Sequence, residues 1–349
     1  MRDLPYAGSA TELNGGLNNI IMVVAQLLHD TCDGGRRATS TLVLPRFTSG
    51  VNFFQRKYSN ESIEFGELFS VPYFQHRVAP CSVVARPPVG ARVVSLRVMP
   101  INKHWPHDRI LPFVYAALRP GRLVRPLVTD ALREVHRRAG RHWSAVHLRI
   151  EKDWFYTTAF CNVHIYTPRR CFTPAEVVVL TRRSRTRANA TGTLLLYAED
   201  LVSPRGPTVD PVAFGPHTVK LTRLLNVSYT ARAAVEMFVA ADARGGFYGN
   251  SYSTFSRGVA LLRSVGCSGR AADHSRSCHS YAYDCAGFYE KQDFSRLRTL
   301  EPHGQHGCAG RAANRSHLPA AQQLRVRGVL GSIEASKKNN RQKVHLSGR

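Results

Sequence analysis

Three short segments of the chain combine residue types that could hold a phosphorylated ligand, and the first is a loop of glycine and asparagine. Residues 15–19 read Gly-Gly-Leu-Asn-Asn. Glycine lets a ligand approach the backbone closely, and the amides of Asn18 and Asn19 can donate or accept hydrogen bonds. Apolar residues follow at helical spacing up to Leu28, so the loop is predicted to open a helix. A helix-opening turn without any ligand would use the same residues.

The second segment pairs a histidine with an arginine at the predicted end of a strand. Residues 144–149 read Ser-Ala-Val-His-Leu-Arg, and Glu151 and Asp153 come shortly after them. His147 and Arg149 share one face, because side chains of a strand alternate between its two faces. An arginine there can bind a diphosphate with two parallel hydrogen bonds and neutralise the charge on a departing nucleotide. The alternative is a buried strand edge that ends in surface ion pairs.

The third segment is rich in hydroxyl groups at the predicted start of a helix. Residues 249–256 read Gly-Asn-Ser-Tyr-Ser-Thr-Phe-Ser. Free backbone N–H groups and the positive end of the helix dipole favour anions there, and Ser253 and Thr254 add hydroxyl groups. Helix capping favours the same residue types, so a simple N-cap is the competing interpretation.

The segments between these loops alternate between strand-like and helix-like patterns. This alternation predicts an α/β fold whose parallel sheets bind ligands at the carboxyl ends of their strands. A domain boundary is predicted near residue 140, and residues 46–78 are predicted to form an irregular connection anchored by aromatic side chains. The predicted strands are 41–45, 93–98, 144–149, 193–197 and 237–241, and the predicted helices are 17–28, 126–138, 174–181, 231–236 and 253–262.

The composition narrows the class of protein. The 349 residues carry a formal charge of +24, but arginine is scattered along the chain, which argues against a specific nucleic-acid partner. No run approaches the roughly 20 apolar residues of a transmembrane helix, and residues 20–28 indicate a core helix rather than a signal peptide. The eight cysteines form no CxxC pair, so no metal site is predicted, and disulfides are compatible with their even number.

Taken in order, the three segments resemble motifs of the protein O-fucosyltransferase-like superfamily, especially its plant and algal branch. Residues 40–45, Ser-Thr-Leu-Val-Leu-Pro, and 65–69, Phe-Gly-Glu-Leu-Phe, are similar to that branch's Ala-Thr-Leu-Val-Leu-Pro and Phe-Gly-Asp-Leu-Phe. Residues 147–153, His-Leu-Arg-Ile-Glu-Lys-Asp, resemble its His-Leu-Arg-Phe-Glu-Lys-Asp, and residues 247–256 resemble its Gly-Asn-x-x-Ser-Ser-Phe-Ser run. The resemblance covers residues 13–290. Ile20 departs from the more usual Gln or Met, and the first strand is expected to be shortened or missing.

The resemblance implies an α/β fold of GT-B type, in which two Rossmann-like domains face a nucleotide-sugar cleft. Residues 1–140 would form the N-terminal domain, with the Gly-Asn loop on the acceptor side, and residues 141–300 the nucleotide-sugar-binding domain. Residues 301–349 are basic and lack periodicity, so they are predicted to be disordered. The residues expected to bind the nucleotide sugar are Gly16, Asn18, Asn19, His147, Arg149, Asp242, Ser253, Thr254 and Phe255.

The implied activity is the inverting transfer of fucose from GDP-fucose to a hydroxyl of a protein or glycan, without a metal or a cofactor. The expected catalytic residues are Arg149, which would stabilise the leaving diphosphate, and Glu151 and Asp153. The base that takes the acceptor proton stays open among these two carboxylates and Glu12. The alternatives are UDP-rhamnose as the donor, or a non-catalytic carbohydrate- or polyanion-binding protein on the same fold. The family suggests the Golgi or ER lumen, although no signal peptide or anchor is predicted in this chain.

Overall fold

The computed structural model describes residues 6–9, 16–32, 41–48, 62–87, 89, 93–96, 107–151, 172–198, 202, 207–221, 227–250, 253–268, 280–283 and 287–288. All of these residues belong to one compact unit. The predicted disordered stretch, residues 301–349, lies outside the described residues. Within the described ranges, no helix has the length and apolar character needed to cross a membrane.

The first half of the described chain alternates short strands with helices. Its strands are β1 (Tyr6–Ser9), β2 (Thr41–Val43), β3 (Arg46–Thr48), β4 (Ser62–Glu64), β5 (Val83–Val84) and β6 (Val93–Leu96). Its helices are α1 (Leu17–Cys32), α2 (Phe65–Leu68), α3 (Val71–Val78), α4 (His107–Ala117) and α5 (Val124–Ala139).

The second half repeats this alternation. Its strands are β7 (Trp143–His147), β8 (Gly192–Leu196), β9 (Thr218–Val219), β10 (Phe247–Gly249), β11 (Ser280–Ala282) and β12 (Gly287–Phe288). Its helices are α6 (Pro174–Arg187), α7 (Tyr229–Ala241) and α8 (Thr254–Ser268), with a short 3₁₀ helix at Pro211–Phe214.

Two largely parallel sheets form the framework, which confirms the predicted mixed α/β class. The first has the order β5-β2-β1-β6. Strand β1, which was expected to be shortened or missing, is one of its two inner strands. The second has the order β12-β11-β10-β7-β8-β9 and is parallel apart from the β11–β12 pair. After β7 the chain adds β8 and β9 on one side of that strand, and later adds β10 and β11 on its other side. Doubly wound strand orders of this kind leave a crevice outside the carboxyl ends of the central strands.

One predicted strand is wrong. Residues 237–241 complete helix α7, and Asp242 is its C-cap residue. The helix begins after Ser228, whose side chain accepts a hydrogen bond from the N–H of Ala231. Because α7 packs against both α5 and α8, it is apolar on most of its surface. A buried helix and a buried strand show the same continuous apolar pattern, so periodicity alone did not separate them.

The predicted irregular connection over residues 46–78 also contains regular elements, namely β3, β4, α2 and α3. The aromatic anchoring is present. Phe47, Phe65, Phe69 and Phe74 are buried, with ring centroids of neighbouring pairs between 5.0 and 6.0 Å apart. Phe238 of α7 meets Phe69 at 6.0 Å, so this cluster also contacts a helix of the second half.

Helix α2 is joined to the start of α5 through the backbone. The N–H groups of residues 121–123 donate to the carbonyl oxygens of residues 66–68 at 2.8 to 3.2 Å. The last carbonyl groups of a helix have no partner within that helix, and here the segment that leads into α5 supplies their donors. The joint requires a residue without a side chain, since a Cβ on Gly121 would lie 2.5 Å from the nitrogen of Phe69 and 2.6 Å from the oxygen of Gly66.

Replacing Gly121 with alanine should therefore destabilise the fold. The added methyl group would overlap backbone atoms that cannot move without breaking the joint, so we expect a loss of about 2–3 kcal/mol in the free energy of unfolding, measured by urea denaturation. Gly66→Ala is the matched control, because its Cβ would only meet a methyl group of Val71 at 3.4 Å. Equal stability of the two variants would contradict the close backbone contact.

Candidate functional site

The candidate site lies at the carboxyl edge of the second sheet, where β7 and β10 end side by side. All five residues of β7 are buried, as expected of a strand that pairs with β8 on one side and β10 on the other. His147 ends β7, and its carbonyl oxygen accepts a hydrogen bond from the hydroxyl of Tyr283 at 3.2 Å. Asn250 follows β10 and Ser253 precedes α8, so the second and third predicted segments meet at one edge.

His147 is buried and neutral. Its Nδ1 lies 2.8 Å from the hydroxyl oxygen of Ser256, and its ring packs on Phe255 with 4.8 Å between ring centroids. Burial, and to a smaller extent the positive charge of Arg149, lowers the pKa of His147 to about 3. The imidazole therefore carries no charge at neutral pH. Since Nδ1 is paired with Ser256, Nε2 is the ring nitrogen through which His147 can meet a ligand.

Arg149 supplies a positive charge two residues beyond His147. Its Nη1 lies 2.8 Å from Oε2 of Glu151. The N–H bond does not point at that oxygen, so the contact is an ion pair rather than an aligned hydrogen bond. The side chain of Glu151 is 4% exposed and that of Arg149 is 21% exposed. The guanidinium is thus the partner that reaches solvent and can meet an anion, whereas the carboxylate is enclosed.

Ser253 is the N-cap residue of α8, as the capping interpretation predicted. Its side-chain oxygen accepts a hydrogen bond from the N–H of Ser256 at 3.4 Å, and its own N–H donates to the carbonyl oxygen of Asn250 at 3.1 Å. Ser253 is buried, whereas Thr254 and Phe255 are half-buried. An anion at this helix start would therefore bind mainly to backbone N–H groups and to the hydroxyl of Thr254.

Asn18 reaches the same helix α8, but as a buried packing residue. Its Oδ1 accepts a hydrogen bond from the hydroxyl of Tyr115 in α4 at 2.7 Å. Burial raises the pKa of that hydroxyl, so it remains a donor. Gly258 of α8 lies so close that a Cβ there would overlap the Asn18 amide. Asn18 therefore sits where α1, α4 and α8 meet, about one helical turn from Thr254.

Gly16 and Asn19 stand at the start of α1. Gly16 is exposed, and its carbonyl oxygen accepts a hydrogen bond from the N–H of half-buried Asn19 at 2.9 Å. A Cβ at residue 16 would meet no atom within 4 Å, so the backbone there has open space beside it. Open space of this kind is what the predicted approach of a ligand to the loop requires.

Asp242 does not come to this edge of the sheet. It lies in the connection that precedes β10, and within that connection the N–H of Gly245 donates to the carbonyl oxygen of Trp143, the first residue of β7. His147 is the last residue of β7, about 13 Å along the strand from Trp143, so Asp242 lies towards the opposite edge. We therefore leave Asp242 out of the proposed site.

Two of the candidate bases, Glu12 and Asp153, lie outside the described residues. Among the residues that the structure does describe, no group of three or more His, Cys, Asp or Glu side chains could hold a metal ion. The described site consists of one neutral imidazole, one ion pair and a capped helix start.

Three residues of the site were not singled out from the sequence. Ser256 lies within the predicted third segment, and its spacing of one helical turn from the Ser253 cap was the signal that could have found it. Tyr283 and Tyr115 gave no local signal, because they bond to residues 136 and 97 positions away. Contacts over such separations become visible only in the fold.

No model of a known protein family matches the chain, and no curated protein matches it at a significant level of sequence similarity. What the site can do must therefore be inferred from its own residues. These are a buried imidazole, a partly exposed guanidinium and the start of a helix, all at one edge of a doubly wound sheet.

Proposed function

We propose that this chain is an inverting glycosyltransferase that transfers fucose from GDP-fucose to a hydroxyl of a protein or glycan. The observation that carries the proposal is the convergence of Arg149, His147 and the start of α8 at the carboxyl edge of β7 and β10. A doubly wound sheet binds nucleotides at such a position, and the charge there is complementary to a diphosphate. The order of the sequence motifs supports fucose as the sugar.

The chemistry requires charge stabilisation more than covalent catalysis. The acceptor oxygen forms a bond to the anomeric carbon, the bond from that carbon to the β-phosphate oxygen breaks, and the electron pair remains on the GDP. Arg149 would neutralise this developing charge, and the positive end of α8 would add to it. The acceptor proton passes to a base, for which Glu12, Glu151 and Asp153 stay the candidates. Of these, Glu151 already faces a guanidinium.

We further propose the GT-B arrangement, with residues 1–140 as the acceptor-side domain and residues 141–300 as the nucleotide-sugar domain. Two separate parallel sheets, each with its central strand followed by a candidate ligand loop, support it. The proposed location is the lumen of the Golgi or ER. Cys81 forms a disulfide, which supports an oxidising compartment.

The donor prediction is tested by binding and turnover with a metal chelator present. GDP-fucose and GDP should raise the thermal unfolding temperature, and a ligand at roughly 100 times its Kd should stabilise the chain by about 2.7 kcal/mol. Arg149→Ala should weaken GDP binding about 10- to 100-fold and lower the rate of GDP release about 100-fold or more, because a charged partner of the diphosphate is lost. Arg133→Ala, an exposed arginine of α5, is the control and should change neither.

The alternatives give different results in the same assays. Stabilisation by UDP-rhamnose and UDP instead of GDP-fucose and GDP would keep the transferase but replace the donor. If neither donor stabilises or is consumed by the wild-type protein, the transferase proposal is wrong. In that case, a sulfated glycan that binds tightly at low salt and much more weakly at roughly 200 mM salt would favour the polyanion-binding alternative.

Arg149→Ala also removes the partner of a buried carboxylate, so its effect on stability must be separated from its effect on binding. We expect it to lower the free energy of unfolding by about 3 kcal/mol, because Glu151 would be left buried and uncompensated. The double variant Arg149→Ala/Glu151→Gln should recover most of this loss, as measured by urea denaturation, yet still bind GDP weakly. Wild-type stability of Arg149→Ala would contradict the ion pair, while recovery of GDP affinity in the double variant would contradict the role of Arg149.

A further inference from the structure

The hydroxyl of Ser256 connects three parts of the candidate site. Its oxygen accepts a hydrogen bond from the backbone N–H of Asn250 at 3.2 Å and lies 2.8 Å from Nδ1 of His147. Ser256 is fully buried. The Ser256 hydroxyl occupies space that is open because residue 249 is a glycine. A Cβ on residue 249 would lie 2.5 Å from the Ser256 oxygen. The end of β7, the end of β10 and the first turn of α8 thus meet at one oxygen atom.

The position of the protons follows from what a hydroxyl can donate and accept. A serine hydroxyl has one proton and two lone pairs, and the N–H of Asn250 occupies one of the lone pairs. In the part of the chain that the structure describes, Nδ1 of His147 is the acceptor that lies within hydrogen-bond distance of the Ser256 oxygen. If Nδ1 itself carried a proton, the buried hydroxyl proton would be left without an acceptor, which is costly. Both groups are satisfied when the hydroxyl donates to a bare Nδ1.

We propose that Ser256 is a positioning residue that fixes His147 as the tautomer with its proton on Nε2, so that a neutral imidazole presents an N–H donor to an anionic oxygen. Arg149, two residues further along, complements the same anion with a full charge. The tautomer is a property of the protein without ligand. That the anionic oxygen belongs to a nucleotide diphosphate rests on the proposed function.

The inference also limits the role of His147. An imidazole whose Nδ1 accepts the Ser256 hydroxyl and whose Nε2 carries a proton has no free lone pair with which to accept a further proton. His147 is therefore a hydrogen-bond donor to the ligand and not the base that deprotonates the acceptor. The base must be a different group, as the carboxylate candidates already suggest.

The tautomer can be measured by two-bond ¹H–¹⁵N NMR correlation on the full chain labelled with ¹⁵N-histidine. The signals of His147 are identified by their loss in His147→Gln. We expect the wild-type ring to carry its proton on Nε2, with a pattern that does not change from about pH 8 to about pH 5, since the pKa of this group is held near 3. In Ser256→Ala the ring should become a mixture of both tautomers. Ser264→Ala removes a hydroxyl that bonds within α8 to the Leu261 carbonyl, and it should leave the pattern unchanged.

Gly249→Ala tests the same contact with the Ser256 hydroxyl kept, because the added methyl group would displace the hydroxyl from Nδ1. Gly249→Ala should show the same mixture of His147 tautomers as Ser256→Ala. Both variants should bind GDP about 10-fold more weakly than the wild type. A wild-type proton on Nδ1, or an unmixed pattern in either variant that folds, overturns the inference. A wild-type chain that shows the Nε2 tautomer but does not bind GDP would contradict the proposed donor and leave the tautomer assignment standing.

Discussion

The parallel pairing of β7 with both β8 and β10 determines the position of the side chains in the candidate site. A strand with neighbours on two sides and cover on both faces needs a mostly apolar run, and Trp143, Ala145 and Val146 supply it. The buried hydroxyl of Ser144 donates to the carbonyl oxygen of Gly192 at 3.4 Å. The pairing extends past the strand, since the N–H of Leu148 donates to the carbonyl oxygen of Leu196 at 2.9 Å. The hydroxyl of Tyr283 donates a hydrogen bond to the carbonyl oxygen of His147. His147 and Arg149 therefore leave the sheet in a fixed direction, which a diphosphate site requires.

Part of the high arginine content serves the fold. Arg263 of α8 is buried, and its guanidinium donates to three carbonyl oxygens at the C-terminal end of α7 at 2.6 to 3.4 Å. Arg185 donates to the carbonyl oxygen of Phe214 at 2.7 Å, and burial lowers its pKa. A cation at the carbonyl end of a helix compensates the helix dipole and satisfies groups that the helix leaves unpaired. These two arginines thus serve backbone carbonyl groups inside the fold rather than a ligand on the surface.

The sequence predicted the parts of the fold that depend on neighbours in the chain and missed those that depend on distant ones. Strands β2, β6, β7 and β8 and five helices follow local periodicity, so they were found. Residues 237–241 were misassigned because only packing against two other helices makes that run helical. The His147 and Ser256 segments were each recognised, but their hydrogen bond spans 109 positions and left no local trace. Asp242 was expected at the site from the resemblance alone, and its position as the C-cap residue of α7 follows from the packing of that helix.

Helix α8 contacts both halves of the proposed cleft, a connection that the sequence motifs did not indicate. Its first turn carries Ser256 at the edge of the second sheet, and two residues later Gly258 packs on Asn18 at the start of α1. Residues of both halves, including Leu17, Tyr115 and Val259, belong to one buried core. Moving the Gly-Asn loop away from the edge that carries Arg149 would therefore separate Asn18 from Gly258 and expose apolar surface of the shared core. The separation of the two candidate ligand loops is thus set in the protein without ligand, and a preformed site of this kind would lose less conformational entropy on binding than one that must close.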